Sequence, residues 1–188
     1  MKKSILTIAI LLATSTSFAL DTPDAAAKTS KASAQTQASQ KDKEIVAFLI
    51  VLNKNEIAAA QVALHKEVNS KVKAFATLMT TQHTQNLEET LKLSADDKIQ
   101  PHDNAMVLSL KKAGKKELGV LTPLTGTAFE KAYINAMVKG HADALVIIDK
   151  QLTQVTNPDL KKHLIATRAH VVHHLEDAKA VQKDLAAS

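Results

Sequence analysis

The sequence predicts an all-α chain whose long helices pack as a bundle. Three observations carry that expectation. From Asp42 onward, apolar residues recur at intervals of three and four, the period of one helical face. Boundary signals at Asn69-Ser70, at Thr127 with Glu130, and at Asn157-Pro158 cut the pattern into segments. About thirty residues, 96–126, separate the second long segment from the third, far more than a turn between bundle neighbours needs. Two αα-hairpins joined by one long crossover is the connectivity of a ferritin-like four-helix bundle. It makes the second and third long helices parallel.

The first long helix is expected over 42–68, with Ile45, Phe48, Leu49, Leu52, Ala59, Ala60 and Ala63 on its inner face. The second, 70–95, starts on a Ser70 cap and carries Val72, Phe75, Ala76, Met79, Leu87 and Leu91. The crossover should contain a short helix near 102–113 that buries Met106, Val107 and Leu110. Thr127 and Glu130 form a capping box for the third, which continues through Tyr133, Met137, Leu145, Ile148 and Leu152. Asn157 caps the fourth, with Pro158 in the first turn, where a missing N–H costs little. Its seam is Leu160, Leu164, Thr167, Val171, His174, Ala178, Val181 and Leu185.

Upstream, "MKKSILTIAILLATSTSFA" has two lysines, an apolar run and small closing residues. It reads as a secretory signal peptide, residues 1–19, too short for a spanning helix. Cleavage after Ala19 would send the chain to the periplasm, or outside the cell. Nothing after the signal reads as apolar enough to span a bilayer. Residues 20–41 are rich in Ala, Ser, Thr, Gln and Lys and lack the surface to offset ordering entropy, so a disordered tether is expected before a bundle domain at 42–186.

Composition narrows the chemistry. The chain has no cysteine, so a metal site must use His, carboxylate or backbone oxygen, and a cysteine nucleophile is excluded. The net charge of +5 comes almost wholly from lysine, with Arg168 the single arginine and only five aromatic residues. Nucleic-acid sites favour arginine forks and stacking platforms, so no nucleic-acid partner is expected. A homo-oligomer stays open.

The inner stripes contain an anomaly. "FATLMTTQHTQNL" (75–87) and "YINAMVKGHADAL" (133–145) share the pattern aromatic-x-x-x-Met-x-x-x-His-x-x-x-Leu. Each His stands where a core residue belongs. Counted from their turns, Glu56 and His83 lie about 20 Å along their helices, hence level with each other. His141 and His174 share a level across the Asn157 turn, and parallel helices bring His141 beside His83. One polar layer of Glu56, His83, His141 and His174 results. Three imidazoles and a carboxylate are a first shell for zinc or copper. The rival reading is a buried polar layer that only fixes helix packing. Metal binding predicts imidazole nitrogens converging to about 4–5 Å before ligand tightening; a structural layer predicts hydrogen-bonded rings with nitrogens turned apart.

Other histidines are less informative. His170 and His174 stand one turn apart and can chelate one ion, which makes His170 an additional candidate ligand; His170 and His173 lie toward the helix flank. His65, His102 and His163 fall off the apolar stripes and should be exposed. Di-iron chemistry lacks its Glu-x-x-His pairs, because Thr80, Val138 and Val171 occupy the positions three before the histidines. No phosphate loop or Ser–His pairing appears, so no catalytic residue is assigned; a redox or hydrolytic metalloenzyme is the third and weaker reading, and it requires a vacant coordination position and a cleft reaching the layer.

The strings "VKAFATLMTTQH" and "LTGTAFEKAYINAMVKGH", the Asn157-Pro158-Asp159-Leu160 turn and the late "HHL" together resemble the bacterial exported family catalogued as domain of unknown function 4142. The resemblance covers about residues 45–182 and implies a ferritin-like bundle behind a signal peptide. Members are often labelled outer-membrane proteins, a label at odds with helices whose outer faces are lysine-rich. The resemblance places the family's recurrent histidines on His83, His141 and His174 and its first-helix acid on Glu56. It departs at Gln82 and Gly140, where an Asp commonly precedes the His.

Overall fold

The computed structural model describes residues 23–187; the signal segment 1–19 lies outside them. Five helices follow one another: α1 (Pro23–Leu64), α2 (Ser70–Asp96), α3 (Ala105–Leu121), α4 (Gly126–Leu152) and α5 (Pro158–Ala187). No strand occurs among the described residues, so the chain is all-α.

Helix directions follow from pairs of bonded side chains. On α2 and α5, Lys71 meets Asp184, Gln82 meets His174, Asn86 meets Thr167, and Thr90 meets His163, which is an antiparallel pairing. Asn135 with Gln182 and Asp149 with Arg168 make α4 and α5 antiparallel too. Therefore α2 and α4 run the same way, as the long crossover requires. The helix α1 packs on α2, while α1 and α4 meet only sparsely and α3 lies over the groove between them.

Several local expectations are corrected. The helix α1 begins at Pro23, not 42, so residues 23–41 of the expected tether are helical. Low apolar content argues against a core, but Ala, Lys and Gln are strong helix formers and a packed helix downstream can propagate into them. The crossover helix runs 105–121 rather than 102–113, started by Asn104, whose side chain accepts from the Val107 N–H at 2.9 Å. Asn69, not Ser70, caps α2, taking the N–H groups of Lys71 and Val72. No capping box forms on α4: its N-cap is Thr125, without a side-chain bond, and Gly126 takes a positive φ of 54°, a region that favours glycine. Glu130 instead accepts the Asn69 N–H at 2.6 Å, tying the α1–α2 turn to α4. Leu91, expected inside, is exposed. Asn157 caps α5 as expected, accepting from Asp159 and Leu160, and Asp42 binds the same turn through Thr156 and Asn157.

One further expectation fails by composition. Gln40–Leu64, with a mean hydropathy of 1.4, is long and apolar enough to cross a membrane. Its apolarity has another use, because most of that window is buried against the other helices.

The apolar interior falls into two clusters. One gathers Ile45, Phe48, Leu49 and Leu52 with Ile148, Leu160, Leu164 and Val171. The other gathers Ala59, Ala60, Phe75, Met79, Phe129, Tyr133, Met137 and Ala178. Along every long helix, the residues between these clusters are polar: Asn53 and Glu56 on α1, His83 on α2, His141 on α4, His174 on α5. All five are buried.

Candidate metal centre

Each histidine enters this layer because its helix stays in phase. His83 and His141 stand one turn beyond Met79 and Met137, and His174 falls between Val171 and Ala178, all core residues. The three rings are 1–3% exposed. Their centroids are separated by 5.8 Å (His83–His141), 5.0 Å (His83–His174) and 5.4 Å (His141–His174). One nitrogen from each ring lies within 4.8 Å of one from each of the others.

One nitrogen of each ring is committed to a hydrogen bond. His83 Nδ1 donates to Asn53 Oδ1 at 2.8 Å, His141 Nδ1 to the Met137 carbonyl at 2.8 Å, and His174 Nε2 to Gln82 Oε1 at 2.7 Å. A carbonyl or amide oxygen only accepts, so each of these nitrogens carries the proton. The opposite nitrogens, His83 Nε2, His141 Nε2 and His174 Nδ1, are therefore bare lone pairs, and all three are buried without a partner.

Electrostatics keeps the rings neutral. Burial pushes His141 down to about 4, against the opposing pull of the Met137 carbonyl and the Glu117 carboxylate. Burial, then the charges of His141, His170 and His173, takes His174 down to about 3. His83 is held well below its ordinary range, first by burial and then by the neighbouring histidines. A neutral imidazole with a bare nitrogen is the form that ligates a metal.

A polar network behind His83 fixes its orientation. Asn53 Nδ2 donates to the Leu49 carbonyl and to Asn86 Oδ1, both at 2.8 Å. Asn86 Nδ2 donates to Thr167 Oγ1 at 2.9 Å. With its amide nitrogen held by two acceptors, Asn53 can only turn its oxygen toward His83. Such partners set ligand tautomer and basicity in metal sites.

Two of the expected site residues stand apart. Glu56 is on the same storey, since its Oε1 lies beside Gly140, next to His141, but it is outside the three-histidine cluster. It faces a cavity of about 320 Å³ bounded by α1, α3 and α4. The helical rotation from Asn53 to Glu56 explains this: Asn53 takes the place beside α2, which leaves Glu56 turned toward α3. His170 is exposed, at the rim of a small notch lined by His83, Asn86, Thr167 and His174, and is not in the cluster. The expectation for His163 also fails, because its side chain is 8% exposed and shares a hydrogen bond of 2.8 Å with Thr90. His65 and His102 are exposed as expected.

The sequence reading missed Asn53, Gln82, Asn86 and Glu117. Asn53 and Asn86 carried a signal, being in phase with Leu49 and His83 on the inner stripes. Gln82, where the family resemblance suggested an Asp, supplies the neutral acceptor that orients His174. Glu117 had none, because its helix was expected to end before it.

Burial pushes both Glu56 and Glu117 up to about 7, with mutual repulsion adding to Glu117 and His141 partly offsetting it. Glu56 Oε2 and the Tyr133 hydroxyl are buried without partners.

No curated protein and no solved structure matches the chain. Over residues 27–181, with the three histidines and their partners inside that span, it matches the family described as Domain of unknown function (DUF4142); the chain belongs to that family.

Proposed function

We propose that this chain is an exported, ferritin-like four-helix bundle that binds one zinc or copper ion through His83, His141 and His174. Its service is metal handling or stress protection in the cell envelope rather than turnover. Two observations carry the reading: the three buried histidines each offer a nitrogen within 4.8 Å of the others, and each ring keeps one buried nitrogen without a partner. Leaving a buried acceptor unsatisfied costs about 1–3 kcal/mol, and a layer serving packing alone has no reason to bear that cost three times at one point. Imidazole nitrogens suit zinc and copper. With Glu56 outside the cluster, three ligands leave a fourth position for water or an exogenous group, and a di-iron carboxylate site has no support. Export rests on the signal-like segment 1–19, and the ferritin-like arrangement on the parallel α2 and α4 joined by the long crossover.

The second reading, a layer that only sets helix register, draws on the Asn53–Asn86–Thr167 network, which links α1, α2 and α5 without any metal. Calorimetric titration of the chelator-treated chain with zinc and with copper separates the two. The metal reading expects one saturable site that disappears in His141→Ala. Absence of saturable binding, or equal binding by that variant, leaves only the structural layer.

A further inference from the structure

We propose that the cavity between α1, α3 and α4 is a second cation site, distinct from the histidine cluster, in which Glu56 and Glu117 bind a hard divalent ion such as manganese. The carboxylates come from opposite walls: Glu56 from α1 and Glu117 from the crossover helix. Apolar residues including Phe48, Leu52, Leu110 and Ile147 form much of the remaining lining. About 320 Å³ of space accommodates an ion with part of its water shell, which manganese and magnesium tend to keep.

Three observations point to a cation there. Glu56 is 8% exposed, and its Oε2 has no partner although it is fully buried. The Tyr133 hydroxyl, on a side chain with no exposure at all, is likewise unpartnered, and it lies close enough to both carboxylates for their charge to act on it. Finally, the cavity's own lysine, Lys139, is engaged by Asp143. Two acids lining one pocket whose single lysine is already paired are costly to bury, and a divalent ion bound by both removes the repulsion and the orphaned oxygen.

The position of Glu117 is built. One turn before it, Gly114 lets α3 approach α1 so closely that a Cβ there would overlap the Asn55 amide, and Asn55 Nδ2 donates to the Leu110 carbonyl at 3.1 Å. That contact fixes α3 on α1 one turn from Glu117 and one residue from Glu56, and both acids line the same cavity. Carboxylate and hydroxyl oxygens suit manganese, magnesium and calcium, whereas imidazole suits zinc and copper, so the two sites can be read separately.

The test is a manganese titration of the chelator-treated full chain, following loss of the free-ion paramagnetic resonance signal. One bound ion per chain is expected. Glu117→Gln and Glu56→Gln, both near-isosteric, should each weaken it by about ten-fold or more, with melting curves verifying that they fold. His141→Ala should bind manganese like the parent. No saturable manganese binding, parental binding by both Gln variants, or loss of manganese in His141→Ala would each overturn the proposal. The zinc and copper titrations are unaffected by any of these results, so this site and the histidine site stand or fall independently.

Discussion

Asn53 on α1 accepts a hydrogen bond of 2.8 Å from His83 on α2, and that single contact decides which nitrogen of His83 carries the proton and which is left bare. Replacing it by Asn53→Leu removes the acceptor for His83 Nδ1 and the donor for Asn86 Oδ1 together. Two buried groups are then unsatisfied, each costing about 1–3 kcal/mol. The expected outcome is a destabilisation of that order in urea melts, with zinc affinity about 10–100-fold lower by calorimetry. Unchanged affinity would mean that the Asn53 bond does not orient a ligand.

The buried titratable groups predict a shallow pH dependence for the metal-free chain. From pH 6.5 down toward 4, the unfolded chain takes up protons that native His141 and His174 refuse, so their contribution to stability is lost as pH falls. His83, also lowered, acts in the same direction. Glu56 and Glu117 act oppositely: the unfolded carboxyls ionise near 4.5, while the native ones hold their protons to about 7, so stability is lost as pH rises through that window. Glu56→Gln deletes one opposing group. Between pH 4.5 and 6.5, stability should therefore climb more steeply with pH in the variant, by about 1.4 kcal/mol per pH unit. Parallel pH profiles from urea melts would contradict the burial assigned to Glu56.

Two glycines on α3 should respond in opposite senses. Gly119 has open space around its Cα, so Gly119→Ala should stabilise by about 0.5–1 kcal/mol through helix propensity. Gly114→Val should destabilise by roughly 1–3 kcal/mol, because the added side chain displaces Asn55 from the Leu110 carbonyl. Thermal melts of both variants check the sign directly.

Much of this was legible in the chain. Counting residues from the turns puts the three histidines on one storey, because helical rise is fixed and Asn157 caps α5. Cap details were less legible. Glu130 has the spacing of a capping box, yet it bonds to Asn69 from a neighbouring helix, and no local rule reports such a partner. Leu91 fits the apolar period but is exposed, while the polar Asn86, Thr90 and Ser94 line the inner face of that half of α2.

By itself, then, the sequence determined the periodicities, the turns and hence the heights of His83, His141, His174 and Glu56, since axial position depends only on residue count. The tertiary structure alone decided rotation and partners. It set Asn53 rather than Glu56 beside His83, brought Glu117 across from α3, and chose which nitrogen of each ring stays bare. Those outcomes depend on how neighbouring helices turn and approach one another, which is a sum over packing contacts from distant parts of the chain.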